Sequence, residues 1–304
     1  MSLRKVRNLM AWRPAGRHFI IGIPFGWLIL MSAIPVLIIL QFSVSQMEIA
    51  SVTKPWGYEE GIFTIRIDFT KYFFLFSDSL YVQTYLSSIK YAAINTFFCL
   101  AIGYPFAYFM ARSPTHLRPA LLMAVMLPFW TSFLLRIYAW KGLLATNGVF
   151  NNALLAMGVI DQPLHILHTP FSLSLGMVYT YLPFMILPLY ANLQKMDIRL
   201  LEASADLGAS PWKTFWLITV PLSKSGIIAG SMLVFIPSVG EYVIPELLGG
   251  PETLMIGRVL WDEFFGNNDW PMASAVAIVM ILMILVPLAI FNKYQTESTL
   301  GKKS

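Results

Sequence analysis

Six stretches of this chain without Asp, Glu, Lys or Arg read as membrane spans: Phe19–Met47, Tyr91–Ala111, Pro119–Leu135, Leu164–Gln194, Ser225–Gly240 and Trp270–Asn292. That pattern constrains the fold more than any other feature. A helix rises about 1.5 Å per residue, so about 20 apolar residues cross a hydrocarbon core about 30 Å thick. With no water there to satisfy backbone groups, such stretches cross as helices. The expectation is an all-α polytopic membrane protein of about six transmembrane helices, with spans near 19–42, 91–111, 119–140, 170–194, 223–245 and 270–292. Pro119–Leu135 reaches full length only by continuing past Arg136 to Trp140, and Ser225–Gly240 must take in Glu241 or stop short. The segment 142–160, with Asn147, Asn151 and Asn152, reads as interfacial or re-entrant rather than as a further span. A signal peptide is the alternative for the first stretch. Its apolar run is far beyond the roughly 7–15 residues of such a region, and no small-x-small cleavage site follows.

Composition agrees. Of 304 residues, 57% are hydrophobic and 12% charged, where soluble chains average about 25% charged. A water-facing surface so poor in charge would leave wide apolar patches bare. A disulfide-stapled class is excluded because Cys99 has no second cysteine.

Six spans place both termini on one side. That side holds Arg4, Lys5, Arg7, Arg13, Arg17, Arg112, Arg118, Lys195, Arg199, Lys213, Lys224, Lys293, Lys302 and Lys303, 14 of the 21 basic residues, against four of the 16 acidic ones. It nets +10 and the opposite side −5. The positive-inside rule then makes segments 1–18 and 293–304 cytoplasmic tails and the region 19–292 the membrane domain. The basic total is a topology signal, and nucleic acid drops out as a partner.

Pro24, Pro35, Pro105, Pro128, Pro183, Pro188 and Pro237 fall within the spans and predict kinks inside a bundle. Gly22-x-x-x-Gly26 and Gly226-x-x-x-Gly230 would allow close helix approach, a spacing also common by chance.

Between the fourth and fifth spans, residues 195–222 predict two short helices. Asp197 can cap the first, Leu200, Ala203 and Leu207 form an apolar stripe, Gly208 suits a left-handed stop, and Ser210-Pro211 restarts the chain. Trp212, Phe215 and Trp216 add an aromatic edge before Pro221. Such a pair needs a cover, either lipid at an interface or a partner protein. Glu202-Ala203-Ser204, then Gly208, then Ile218-x-Val220-Pro221 resembles the EAA loop of permease subunits of bacterial ABC importers, with Ser204 in place of the second alanine and Val220 in place of leucine. The stretches Leu127–Trp140 and Gly226–Gly250 resemble the putrescine/spermidine branch, nearest its putrescine-type permease.

The resemblance implies a type I importer permease in the bacterial inner membrane. Residues 195–222 would be a coupling loop docked on a separate ATPase, with Glu202, Ala203, Leu207, Gly208, Pro211 and Pro221 as coupling positions. It further implies a second, homologous permease subunit, two ATPase copies and a periplasmic polyamine-binding protein. The chain has no Gly-x-x-x-x-Gly-Lys-Ser/Thr loop, so ATP and Mg would be bound by the ATPase, and this chain itself would hold no cofactor.

A polyamine path needs separated carboxylates and aromatic faces, each cation–π contact contributing about 0.5–2 kcal/mol. The candidates are Glu241, Tyr242, Glu246, Trp130, Tyr138, Trp261, Asp262, Glu263 and Asp269. Glu241, placed roughly 6 Å inside the outer end of the fifth span, is either a path residue or an ion-pair partner of Arg136 or Lys90. Asp262 has Arg258 as an i,i+4 partner. A secondary transporter would show repeat-related broken helices, and a membrane enzyme a catalytic cluster. The sequence offers no internal repeat, and His18, His116, His165 and His168 form no metal-ligand motif.

Overall fold

The structure is a computed structural model that describes residues 14–48, 51–53, 55–59 and 62–300. The basic residues Arg4, Lys5, Arg7, Arg13, Lys302 and Lys303 of the expected tails lie outside the described residues. The chain forms two units, one of residues up to Phe73 with Asp269–Ile278, the other of Phe74–Asn268 with Val279 onward.

In the first unit, helix α1 (Pro14–Ser43) is apolar all round, with side chains such as Ile23, Trp27 and Leu37 more than half exposed within the chain. That is a surface for lipid or another apolar partner, not for water. It leads to two small hairpins that the all-α expectation did not include, β1 (Met47–Glu48) with β2 (Ser51–Val52) and β3 (Trp56–Glu59) with β4 (Ile62–Ile65). Asp68 then caps α2 (Thr70–Ser77), its Oδ1 accepting from the Thr70 amide at 2.8 Å and the Thr70 hydroxyl at 2.5 Å. Lys71 Nζ donates to the Ser45 carbonyl at 2.9 Å, tying α2 to the exit of α1. The last helix, α14 (Trp270–Leu300), begins where Asp269 accepts from the Met272 amide at 2.9 Å.

The second unit holds the core. Helix α3 (Ser79–Arg112) starts well before residue 91, because the Asp78 carboxylate, accepting from the Leu80 amide at 2.8 Å, sets its beginning and Lys90 does not interrupt it. Helix α7 (Pro170–Leu193) opens on a reciprocal Thr169–Ser172 capping box, and α11 (Lys224–Val239) completes a mutually packed trio with α3 and α7. Cys99, Ala107, Leu173, Met177, Met185, Leu189, Leu193 and Val234 fill the space between them. Gly226 and Gly230 permit that packing: an added Cβ would lie 2.8 Å from Asn192 Cβ and 2.8 Å from Met185 Sδ respectively. The equivalent pair in α1, Gly22 and Gly26, has nothing within 4 Å.

Buried polar groups pin the trio. Asn95 donates to Ser238 Oγ at 2.7 Å, and the Cys99 thiol sits 3.5 Å from Asn95 Oδ1 and 3.7 Å from the Val178 carbonyl. Such interhelical bonds add to packing where lipid supplies no hydrophobic drive.

Two further spans depart from expectation, one by breaking and one by ending early. The third, expected as one helix over 119–140, is α4 (Arg118–Met126) and a 3-10 turn (Leu127–Trp130), then α5 (Phe133–Leu144) and α6 (Val149–Ala156), with an 84° bend between the two halves. Pro128 has no amide to continue the ladder, and Thr131 leaves the helical region with ψ 153°. The fifth ends at Val239 rather than near 245; Gly240 stops it, and a short α12 (Val243–Leu248) follows. Pro24, Pro35, Pro105, Pro183, Pro188 and Pro237 all lie inside uninterrupted helices. Asn151, one of the polar residues of 142–160, is buried as a clamp: its amide donates to the Thr146 and Leu164 carbonyls and its oxygen accepts from the Leu164 amide.

Candidate functional site

Residues 195–222 fold into α8 (Arg199–Asp206), α9 (Pro211–Thr214), a π-helical turn (Phe215–Thr219) and α10 (Val220–Leu222). Asp197 accepts from the Arg199 amide at 3.0 Å, which starts α8. Gly208 takes φ +74°, a left-handed conformation that L side chains rarely adopt, and turns the chain out of α8. Ser210 accepts from the Lys213 amide at 3.4 Å, with Pro211 at the first helical position.

The apolar stripe expected on α8 faces outward. Leu207 is 89% exposed and Trp212 70%, while Glu202, Ala203, Gly208, Pro211 and Pro221 are exposed beside them. Several large apolar residues left bare on one short loop, Leu200, Leu207, Trp212, Trp216 and Leu217 among them, offer a surface for an apolar partner. The opposite side of the pair is pinned. Ser204, the departure from the alanine of the motif, is buried and its hydroxyl lies 2.7 Å from Thr214 Oγ1, joining α8 to α9.

At the other end of α11 lies the second group. Helix α13 (Ile256–Trp261) runs on into a π-helical turn (Asp262–Gly266). Its first amide donates to the fully buried Ser88 Oγ at 2.7 Å, and Gly257 lets it press on the backbone: an added Cβ would lie 2.5 Å from the carbonyls of Gly240 and Glu241. Trp261 stacks on Tyr242 with ring centroids 4.4 Å apart and planes 14° apart, and Phe265 adds a third ring at 4.2 Å from Trp261. Tyr242 is within Coulombic reach of Glu246, Asp262, Arg258 and Tyr138. Five of the nine path candidates are thus brought together: Tyr242, Glu246, Trp261, Asp262 and Tyr138.

The remaining four have other places. Glu263 accepts from the Tyr81 hydroxyl at 2.7 Å and from Asn267 at 2.9 Å. Trp130 stands 75% exposed at the bend after α4, and Asp269 caps α14. Glu241 sits in the non-helical link between α11 and α12, not inside a helix as expected. Its Oε1 accepts from the amides of Val243 and Ile244 at 3.1 and 3.4 Å, and its Oε2 accepts from the Tyr181 hydroxyl. Among the described residues no ion pair joins it to Arg136 or Lys90. Arg136 lies over the Phe129 ring at 5.2 Å, and its Nε and Nη1 make no hydrogen bond.

Arg258 meets its expected i,i+4 partner, Asp262, and has a nearer one in Glu246. Its Nε is 2.7 Å from Glu246 Oε2, a close ion pair without hydrogen-bond alignment, and 4.0 Å from Asp262 Oδ2. The carboxylate left less engaged is therefore Asp262. Sequence reasoning missed Tyr181, 60 residues from Glu241, and Phe265. Neither carries a local motif.

The sequence profile of the family described as the inner membrane component of binding-protein-dependent transport systems matches residues 19–293. This chain belongs to that family. Similar family members include the spermidine/putrescine transport system permease protein PotB of Haemophilus influenzae, 41% identical over 283 residues covering 93% of this chain and 94% of the relative, and PotB of Escherichia coli, 40% identical over 278 residues. A further relative is the inner membrane ABC transporter permease protein YdcU of Escherichia coli, 34% identical over 68% of this chain and 70% of the relative. The names give spermidine/putrescine, not the putrescine-type permease that the sequence stretches suggested. Among solved structures, a chain of a bacterial alginate ABC transporter in complex with a pentasaccharide-bound periplasmic protein aligns at TM-score 0.69 and 17% identity, covering 95% of this chain and 98% of its own. The MetNI methionine transporter aligns at 0.53 and 13% identity over 70% of this chain and 93% of its own. The fold of this family member is accordingly that of type I ABC importer permeases. It is a multi-pass membrane transport component, not an enzyme.

Proposed function

We propose that this chain is a permease subunit of an ATP-driven importer for polyamines, taking both spermidine and putrescine rather than putrescine alone. The observation that carries the reading is the 41% identity to a spermidine/putrescine permease over 93% of the chain. The ring stack of Tyr242, Trp261 and Phe265, flanked by Asp262 and the Glu246–Arg258 pair, supports it: a flexible dication or trication is matched by π-faces alternating with carboxylates. Glu241, in the break of the fifth span, is the innermost carboxylate of the same route.

The exposed face Glu202–Ala203–Leu207–Gly208, with Pro211, Trp212 and Pro221 alongside, is the ATPase docking surface, a helix-in-groove contact. ATP and Mg are held by that ATPase, present in two copies. A second, homologous permease completes the membrane domain, and a periplasmic polyamine-binding protein delivers substrate; the periplasmic protein bound to the alginate transporter is the structural precedent. Residues 195–222 and both termini are cytoplasmic, in accord with +10 on that side. The test is uptake of labelled putrescine, spermidine and an unrelated cation by proteoliposomes holding the full complex. ATP-dependent uptake of both polyamines and not of the third cation is expected. Uptake of neither, with the complex intact and hydrolysing ATP, refutes the assignment.

A further inference from the structure

The run Pro211–Leu222 meets α11 at 66°, with Ser223 at the bend. A rod broken at that angle does not deliver an axial push. Motion of residues 195–222 has to enter the bundle sideways, and the side chains that receive it are on α3. Phe215 is edge-on to Tyr104 at 5.5 Å and to Tyr108 at 6.4 Å. The Tyr104 hydroxyl lies 2.8 Å from Ser223 Oγ, and both residues are buried. Because the Ser223 hydroxyl donates to the Val220 carbonyl at 3.0 Å, the donor of the shared bond is Tyr104.

One side chain thus touches the loop twice, at the ring of Phe215 and at the bend itself. Ser204 and Thr214 also fasten α8 to α9, and Phe215 follows Thr214 directly, which links the exposed Glu202–Leu207 face to that ring. At its far end α3 holds something of consequence. Ser88, sixteen residues and about 24 Å along the helix from Tyr104, accepts from the first amide of α13, the helix that presents Trp261.

We propose that α3 is the connecting rod between the coupling loop and the aromatic–carboxylate cluster, and that Tyr104 is the positioning residue that fastens it to the loop. Coupling between distant sites travels through rigid elements and bonded networks of this kind. The inference rests on the reading of residues 195–222 as the ATPase docking surface.

The experiment uses the reconstituted complex of both permeases, the ATPase and the binding protein, and reads substrate molecules imported per ATP hydrolysed. Tyr104→Phe keeps the ring against Phe215 and removes only the donor. Uptake per ATP falls about threefold to tenfold, the range set by losing one buried hydrogen bond, while assembly and the rate of ATP hydrolysis hold. Ser223→Ala gives the same loss, and the double variant adds little to either, as expected of two partners in one interaction. Ser223→Thr, which keeps a hydroxyl, restores the ratio. A normal ratio in Tyr104→Phe and Ser223→Ala overturns the proposal, as do fully additive losses. Glu202→Ala separates the two levels. If it uncouples hydrolysis from uptake while Tyr104→Phe does not, the rod is wrong and the docking surface stands. If it too is normal, the docking reading fails and takes the rod with it.

Discussion

The packing of α11 on α7 permits a quantitative test. In Gly226→Ala the new Cβ would lie 2.8 Å from Asn192 Cβ and 3.2 Å from the Pro188 carbonyl oxygen. Carbon atoms in contact prefer about 3.5–4.0 Å, so the helices must separate by about 1 Å. Asn192 cannot relieve the clash by a rotamer change, because its Cβ is fixed to the backbone. Overpacking of this kind costs about 1–3 kcal/mol. Gly226 stands in the first turn of α11, where alanine returns less than the about 1 kcal/mol it returns in a helix interior, so most of that cost remains. The Asn192–Ser225 bond, 2.6 Å in the structure, stretches with the same displacement. The measurement is the thermal midpoint of the purified complex in detergent, against Gly142→Ala, where nothing lies within 4 Å of the added methyl. Gly226→Ala is expected to melt lower by a few degrees and Gly142→Ala to melt at or above the parent. Equal midpoints for the two variants would refute the close-approach argument.

Other predictions bear on the site and its supports. Trp261→Ala removes the outer face of the Tyr242 stack and is expected to raise the KM for putrescine and spermidine about twofold to thirtyfold, the span of one cation–π contact; an unchanged KM would remove the cluster from the route. Glu241→Gln is expected to lower polyamine uptake with assembly and coupled hydrolysis intact, and transport kinetics identical to the parent would confine Glu241 to capping α12. Ser88→Ala strands the first amide of α13, and faster hydrogen exchange at Ile256 and its neighbours is the expected sign. Asp68 gives a pH dependence: the Thr70 hydroxyl, then the Thr70 amide, hold its carboxyl below the usual carboxylate value. The folded value lies under the unfolded one of about 3.9, so its stabilisation of α2 is complete above that and is lost as pH falls through the folded value. Protection from hydrogen exchange across Thr70–Tyr72, measured against the intrinsic rate at each pH, should fall below pH about 4 in the parent, and Asp68→Asn should flatten that dependence.

Local chemistry explains what was legible in advance. Gly208, Ser210-Pro211 and Asp197 act within a few residues of themselves, and their spacing alone placed the stops and caps of residues 195–222. Charge-free length found the apolar helices, since lipid reads composition over a whole span. Breaks were harder to read. Pro128 and Pro105 look alike in sequence, yet α3 runs through Pro105 while the chain turns 84° after Pro128. The difference lies in tertiary support: Ala107 and Met110, in the turn after Pro105, pack in the core, whereas Trp130 has no such cover. The two small-residue motifs were equally indistinguishable, because what separates Gly226-x-x-x-Gly230 from Gly22-x-x-x-Gly26 is the helix that comes to meet it. Glu241 was singled out as an ionisable group at depth. Its actual partners, Tyr181 and two amides across a helix break, depend on a fold that hydropathy does not specify.

The burial of Cys99 has a practical consequence. The chain's single thiol is enclosed between α3 and α7, with Asn95 and the Val178 carbonyl as its polar neighbours. A maleimide has no approach to it while the bundle is closed. The native protein therefore serves as its own silent background for labelling: a cysteine introduced at Leu207 or Trp212 would be the one thiol of this subunit that reacts. Spectroscopic reporters could then follow the outward face of residues 195–222 through a transport cycle without disturbing the core.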